Sequence, residues 1–246
     1  MIKNLIQSCL KKFGLRLARN GSPVPPVPPA SGLDCFFGAL KNIGFRPKHI
    51  VDIGANKGSW TRRAFLYFPD AQYTLIEPQD HLKAQIQDLL DHGCKITWIN
   101  AGVADKSGVL PFTISHRDDS STFAPTQVDT GAPTISVPVK TLNEIASDTP
   151  LPEVVKIDAE GFDLKVLAGA SDLLGKTDIF FVEAAICCPA YENTIAKVVR
   201  RMDEAGYSVV DITDINRSPK HRILWLCELA FLRNASPLFD GVKTYE

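Results

Sequence analysis

The stretch His49–Trp60 constrains the fold of this chain more than any other. Its first five residues predict a buried strand, Gly54 and Gly58 predict a tight turn, and a helical pattern begins near Ser59. A strand, a glycine-containing turn and a helix in this order form the ligand-binding edge of an open α/β sheet. We expect the glycines to let the backbone approach a ligand, and Asn56 to tolerate a left-handed conformation.

The residues around this turn indicate the type of ligand. A dinucleotide site reads G-x-G-x-x-G and holds a pyrophosphate at the helix N-terminus. Here Ser59 takes the third glycine position, and Asp52 lies two residues before Gly54. An acid so placed suits a cationic amine, as in S-adenosylmethionine, better than a pyrophosphate. Glu77 ends the next predicted strand, where a carboxylate accepts hydrogen bonds from ribose hydroxyls.

Composition limits the classes of protein to which this chain can belong. Its 246 residues, 45% hydrophobic and 22% charged, suit one larger globular domain. A net charge of −1 gives no whole-surface attraction for nucleic acid, so we expect no nucleic-acid partner. Six cysteines without a C-x-x-C pair and no secretory signal favour a cytoplasmic location. The histidines show no zinc-ligand spacing.

The first 32 residues differ from the rest of the chain. Residues 1–20 combine helically spaced apolar residues with lysines and arginines and contain no acids, which predicts a basic amphipathic helix. Such a helix either binds a membrane surface or a partner protein, or packs on its own domain, and both interpretations remain open. Residues 21–32 are rich in proline and predict an extended linker. We therefore expect the folded domain to span residues 33–246.

Strands and helices alternate along this domain. The alternation predicts an α/β fold with a doubly wound, mostly parallel, seven-stranded Rossmann-like sheet, helices on both faces and an extra short strand pair. A helix is also expected over His81–Asp91. The seven main strands are predicted at His49–Ile53, Tyr73–Glu77, Lys95–Asn100, Glu153–Ile157, Asp178–Glu183, Tyr207–Ile212 and Ile223–Arg233, and the extra pair at Gly108–Ile114 and Ile135–Lys140.

Acidic residues lie at the ends of four of these strands: Asp52, Glu77, Asp158 and Glu183. The carboxyl ends of parallel strands meet at one edge of a sheet, so we expect these carboxylates to share a crevice. Glu160 could face the same space. Such a concentration of negative charge is costly unless a cation or hydrogen-bond donors compensate it.

The segment Lys156–Asp163, followed by Val166–Ala170, resembles the K-I-D-x-E-G-x-E…V-L-x-G-A signature of the FkbM family of class I S-adenosylmethionine-dependent methyltransferases. Val51–Gly58 and the Glu77-Pro78 pair also match the family pattern, and the resemblance extends over about Ile50–Arg233. Asp163 stands where the family usually has Glu, and Asn143 stands where an Asp is common.

The resemblance implies methyl transfer from S-adenosylmethionine, usually to an oxygen, with sugar, glycan or secondary-metabolite hydroxyls as acceptors. Asp158 and Glu160 would position the acceptor and remove its proton, with Lys156 orienting them. Glu183 and Ser121 would line the acceptor side. The residues expected to bind the cofactor are Asp52, Gly54, Ala55, Asn56, Gly58, Glu77, Pro78, Ala101 and Val103.

Two other functions remain as alternatives. An NAD-dependent oxidoreductase would share the sheet, but the missing third glycine and Asp52 oppose it. A binding or scaffold protein on a methyltransferase fold would use the N-terminal helix and linker. Asp158 and Glu160 could ligate Mg²⁺, although their spacing does not require a metal. The sequence gives no oligomeric state.

Overall fold

A computed structural model describes residues 31–115, 121–123, 132–187 and 192–242. The helix expected over residues 1–20 and nearly all of the proline-rich linker lie outside these described residues. The first described helix, α1 (Gly32–Asn42), begins after Ser31, whose side chain accepts a hydrogen bond from the Asp34 backbone N–H. This is a normal helix N-cap, because it satisfies one of the N–H groups that the first turn leaves unpaired.

Strands and helices then alternate as the sequence pattern predicts. The strands are β1 (His49–Ile53), β2 (Gln72–Ile76), β3 (Lys95–Ile99), β4 (Gly102–Val103), β5 (Gly108–Thr113), β6 (Thr134–Lys140), β7 (Val154–Ile157), β8 (Ile179–Ala185), β9 (Tyr207–Arg217) and β10 (Leu224–Arg233). The remaining helices are α2 (Ser59–Tyr67), α3 (Gln87–Asp91), α4 (Leu142–Ser147), α5 (Asp163–Ala168), α6 (Ile195–Glu204) and α7 (Leu238–Val242).

Seven strands form the main sheet, in the order β3-β2-β1-β7-β8-β10-β9. The first five strands of that order are parallel to one another, and β10 is antiparallel to both β8 and β9. This is the mixed, doubly wound sheet expected from the sequence. The strand order reverses between β1 and β7, which is where sheets of this kind hold ligands beyond the strand ends.

A smaller sheet has the order β4-β6-β5. The pair β5 and β6 was expected, and its strands are antiparallel. The two-residue strand β4 was missed, because Gly102 and Val103 are too few to show an alternating pattern. It pairs in parallel with the end of β6 and thereby joins the small sheet to the chain leaving β3.

Several element boundaries differ from the sequence prediction. The single helix expected over residues 81–91 is a 3₁₀-helix (Asp80–Ile86) followed by the short α3. Strand β8 continues to Ala185 because Leu226 of β10 pairs with it, so Glu183 lies within the strand rather than at its end. Strand β9 continues five residues beyond the predicted Ile212, to Arg217, because β10 supplies hydrogen-bond partners along this whole length.

The main sheet separates two hydrophobic clusters. Val51 and Ile53 belong to one cluster, and Ile50 belongs to the other, as expected for side chains that alternate across a strand. Burial on both faces explains why all five residues of β1 are buried, including Asp52. Among the helices that the structure describes, none is long and apolar enough to cross a membrane.

Candidate active site

A cavity of about 860 Å³ lies at the carboxyl ends of the parallel strands, within the size range of small-molecule and cofactor sites. One wall comes from the segments that follow β1, β2 and β3. The opposite wall comes from the segment after β7 and from the hairpin formed by β9 and β10. Predicted site residues on these walls are Gly54, Ala55, Asn56, Glu77, Pro78, Ala101, Val103, Ser121, Lys156, Asp158 and Glu160.

The turn after β1 has the left-handed backbone that its sequence indicates, at Gly54 (φ 72°), Asn56 (φ 47°) and Gly58 (φ 75°). A Cβ on Gly54 would lie 1.9 Å from the Asp158 carbonyl oxygen, so this glycine is required by a neighbouring loop of the protein itself. Gly58 does not line the cavity, and a Cβ there would lie 2.8 Å from Ile86. The expectation that Gly58 approaches a ligand is therefore not met, because side-chain packing occupies that space.

Glu77 lies directly after β2, only 3% exposed, on the cavity wall. Its Oε2 accepts a hydrogen bond from the Asn56 backbone N–H at 2.9 Å, and its Oε1 accepts from the Gln79 backbone N–H at 3.0 Å and from the Gln79 side chain at 3.3 Å. Burial raises the pKa of Glu77, although these donors and Lys156 oppose the rise. The Asn100 side chain, after β3, donates to the backbone carbonyls of Glu77 and Pro78, so the Glu77 residue is tied to the segments after β1 and β3 through its carboxylate and its backbone respectively.

Asp52 is fully buried and does not line the cavity. Its carboxylate accepts a hydrogen bond from Thr61 Oγ1 at 2.6 Å and lies 3.3 Å from Lys156 Nζ. The direct contact with a ligand amine that the sequence suggested does not fit this burial. Asp52 instead compensates the positive charge of Lys156, a residue that itself lines the cavity.

Lys156 connects the two walls. Its Nζ lies 3.2 Å from Asp158 Oδ2 and donates to the Gly54 carbonyl at 3.2 Å. Burial alone would lower the pKa of this amine, but Asp158 and Asp52 outweigh burial and the pKa is raised. Lys156 therefore stays protonated and holds the turn after β1 against the loop after β7.

The loop after β7 carries Asp158 and Glu160, and Asp163 holds it in place. The buried Asp163 carboxylate accepts hydrogen bonds from the Ala159 N–H at 3.1 Å, the Gly161 N–H at 3.2 Å and the Asn193 side chain at 2.7 Å. Burial raises the pKa of Asp163 to about 7, against the opposing effect of its backbone donors. Glu160 has a left-handed backbone (φ 48°), a conformation that few residues other than glycine adopt without strain.

Glu183 lies near this loop but not on the cavity wall. It is half-buried within β8, and its Oε2 is buried without a hydrogen-bond partner. Burial, followed by the nearby carboxylates of Asp158, Asp163 and Glu160, raises its pKa well above the usual range. Glu183 thus lies within β8, beside the loop after β7, and its contact with an acceptor stays a prediction.

Ser121 lies on the cavity wall, close to the small sheet. Its Oγ accepts a hydrogen bond from the Ser115 backbone N–H at 3.1 Å. Phe112 and Phe123 lie beside it on the same wall, with ring centroids 4.7 Å apart. This part of the cavity is apolar, apart from the serine.

The sequence prediction missed the contribution of the β9–β10 hairpin. Thr213, Asp214 and Glu228 line the cavity, and the Thr213 hydroxyl donates to Glu228 Oε1. Burial raises the pKa of Glu228 to about 7, although Thr213 and Lys156 oppose the rise. The sequence did contain a sign of this contribution, because Glu228 is the one charged residue in the apolar stretch Leu224–Leu232.

The described residues contain no group of three or more His, Cys, Asp or Glu side chains placed to hold a metal ion. The cavity walls instead carry separate carboxylates, each with its own partners. Glu77 has backbone donors, Asp158 has Lys156, and Glu228 has Thr213.

Comparison with known proteins identifies the family. The model of the FkbM methyltransferase domain matches residues 52–209, more than half of the chain. The chain belongs to the FkbM methyltransferase family. The match contains the turn after β1, the Glu77-Pro78 pair and the loop after β7, but not Glu228. No curated protein sequence matches this FkbM chain.

Solved structures of other methyltransferases are similar to this FkbM protein at low sequence identity. A precorrin-6Y C5,15-methyltransferase from Geobacter metallireducens is 15% identical, covers 86% of this chain and 92% of its own, and has a TM-score of 0.46. A magnesium protoporphyrin IX methyltransferase from Synechocystis, solved with bound S-adenosylmethionine, is 12% identical, covers 82% of this chain and 77% of its own, and has a TM-score of 0.47.

Proposed function

We propose that this protein transfers the methyl group of S-adenosylmethionine to a hydroxyl oxygen of a small-molecule or glycan acceptor. The observation that carries the proposal is one continuous cavity with two different walls. One wall has the features of a nucleoside site, and the other presents carboxylates from the segment after β7 and from the β9–β10 hairpin. Membership of the FkbM family supports methyl transfer as the reaction.

The first wall fits the donor in shape and in charge. Glu77 is held by backbone N–H groups at the position where a carboxylate accepts the ribose hydroxyls. Ala101, after β3, and Val103 of β4, with Pro78, offer apolar contact to an adenine. Ala55 and Asn56 would lie along the methionine end. When bound, S-adenosylmethionine supplies an electrophilic methyl group.

The second wall suits a hydroxyl acceptor. Asp158 and Glu160 can accept hydrogen bonds from acceptor hydroxyls, and Lys156 fixes the orientation of Asp158. Holding the acceptor oxygen close to the methyl carbon supplies much of the rate. A carboxylate that takes the hydroxyl proton adds a further factor of about 10²–10⁴. Sugar and secondary-metabolite hydroxyls, the acceptors implied by the family resemblance, present such groups.

The donor site is tested by isothermal titration with S-adenosylmethionine. The wild type should bind with a Kd in the micromolar range, and Glu77→Gln should bind about 10- to 100-fold more weakly because one ribose acceptor is lost. Glu204→Gln, an exposed acid at the end of α6, is the matched control and should leave the Kd unchanged. Binding of NAD instead would favour the oxidoreductase, and a folded protein that binds neither ligand would favour the scaffold.

The acceptor is tested by transfer of a labelled methyl group. The protein is incubated with labelled S-adenosylmethionine and a panel of methyl glycosides, hydroxylated aromatics and amines. We expect label on a hydroxylated compound, with the methyl assigned to oxygen by NMR of the product. Label found only on nitrogen would contradict the assignment of oxygen as the acceptor atom.

A further inference from the structure

The cavity walls hold five carboxylates, and four of them, all except Glu160, can be compared by their surroundings. Glu77 accepts three N–H hydrogen bonds and belongs to the donor wall. Asp158 is paired with Lys156 at 3.2 Å, and a carboxylate paired with an ammonium is a weak base. Asp214 is exposed to solvent. These surroundings direct attention to Glu228.

The strand register places Glu228 in a row of acids across the sheet. It pairs with Glu183 of β8 on one side and with Asp214 of β9 on the other. Between β7 and β8, Ile157 pairs with Val182, so the residues that follow them, Asp158 and Glu183, lie beside each other. Like charges opposite one another in a sheet are destabilising, so uptake of a proton is favourable in this row.

The cation nearest this row is already engaged. Lys156 contacts Asp52, Asp158 and the Gly54 carbonyl, and no described lysine or arginine forms an ion pair with Glu228. The Thr213 hydroxyl donates to Glu228 Oε1, and no described residue donates to Oε2. Glu228 is thus fixed through one oxygen on the cavity wall, and the other can accept a hydrogen bond.

We propose that Glu228 is the catalytic base, with Oε2 accepting the proton of the acceptor hydroxyl while Asp158 and Lys156 orient the acceptor. The proposal rests on the proposed O-methyl transfer. In the reaction the acceptor O–H bond breaks and its proton moves to the Glu228 carboxylate. The acceptor oxygen forms a bond to the methyl carbon as the carbon–sulfur bond breaks, and the electron pair of that bond stays on sulfur.

The proton affinity of Glu228 agrees with this role. A base is most effective when its pKa lies near the working pH, and the pKa of Glu228 is raised to about 7. This pKa is set first by burial of the carboxyl group. The other contributions come from Thr213 and Asp214 of β9 and from Lys156 and Asp158 of the β7 segment. Because the base must be ionised, the rate should rise with pH through about 7 and then level off.

The first measurement needs no ligand. Protein labelled with ¹³C at the glutamate side-chain carboxyl carbon is titrated by NMR as the wild type and as Glu228→Gln, which can still accept the Thr213 hydrogen bond. We expect a carboxyl resonance that titrates near pH 7 in the wild type and is missing in the variant. A Glu228 carboxyl that titrates below pH 5 would overturn the proposal.

The second measurement uses the acceptor found in the methyl-transfer panel. Glu228→Gln should lower kcat by about 10²–10⁴-fold, leave the acceptor KM within threefold and remove the dependence of kcat on pH near 7. Glu228→Asp, with a shorter carboxylate, should recover part of kcat, and Glu204→Gln should match the wild type.

The possible failures are distinguishable. A Glu228→Gln variant that keeps kcat within threefold of the wild type would overturn Glu228 as the base while leaving methyl transfer intact. A folded wild type that does not bind S-adenosylmethionine would overturn the proposed function, and the NMR titration would still report the ionisation of Glu228. Glu228→Gln itself should bind S-adenosylmethionine as the wild type does, because Glu228 lies on the wall opposite Glu77.

Discussion

The two walls of the cavity are built in different ways. The wall formed after β1, β2 and β3, which we propose binds the donor and call the donor wall, follows parallel strands, and its central carboxylate, Glu77, is held mainly by N–H groups from turns close to it in the sheet. The acceptor wall combines the loop after β7 with an antiparallel hairpin, and its carboxylates are held by Lys156 and by Thr213. The first wall therefore depends on backbone geometry, and the second depends on pairs of side chains.

This difference has a chemical meaning. A nucleoside offers the same hydroxyls in every turnover, so a rigid backbone site can bind it well. An acceptor must lose a proton, and this requires a carboxylate whose charge is not already neutralised by a fixed cation. Four substitutions test how far the two walls are independent.

Lys156→Met should have the largest effect, because Lys156 joins the walls. Its loss leaves the fully buried Asp52 without a cation, and we expect a decrease of about 3–5 kcal/mol in the free energy of unfolding, measured with urea. The double variant Lys156→Met/Asp52→Asn should recover a large part of this loss. A loss below about 1 kcal/mol in the single variant would show that Lys156 does not join the walls energetically.

Gly54→Ala should weaken donor binding, because the added methyl group would collide with the loop after β7. The new Cβ would lie 1.9 Å from the Asp158 carbonyl oxygen, at a φ of 72°, so we expect a loss of about 2–4 kcal/mol and at least tenfold weaker binding of S-adenosylmethionine. Gly44→Ala is a matched control, since Gly44 has a φ of 87° but no atom within 4 Å of the added Cβ. Equal losses in both variants would mean that backbone strain alone, and not the contact between walls, matters.

Glu228→Gln should change how stability depends on pH. The folded state raises the pKa of this acid to about 7, so its contribution to stability is complete below the unfolded pKa and is lost as the pH rises towards 7. The glutamine variant should lack this part of the decline, about 2 kcal/mol after allowance for partial exposure. Urea unfolding from pH 4 to 8 would show it, and parallel curves for the two proteins would contradict the raised pKa.

Arg63→Ala should have the smallest effect. Arg63 lines the cavity, and its largely exposed guanidinium is 3.0 Å from the carboxylate of Asp34. We expect a loss of no more than about 1 kcal/mol, which 1 M NaCl should abolish. A loss that persists in high salt would indicate that α1 and α2 depend on this pair for more than surface attraction.

The residues of the proposed donor wall lie in one turn and at neighbouring strand ends, so local sequence patterns were able to indicate them together. The seven-stranded sheet and the positions of Gly54, Asn56, Glu77 and Asp158 followed from local patterns. Glu228 could not be placed, because its approach to the cavity depends on β10 pairing with β8 and on a β-bulge between Glu228 and Leu229. The burial of Asp52 was missed for a related reason, since Lys156 compensates it from another strand.

Two residues, Thr122 and Phe123, attach the small sheet to the loop after β7. Thr122 bridges to Thr113 and donates to the Glu160 carbonyl, and Phe123 packs between Phe112 and Phe162. In any engineering of acceptor choice, these two residues should therefore be kept as a fixed graft point between the small sheet and the loop after β7.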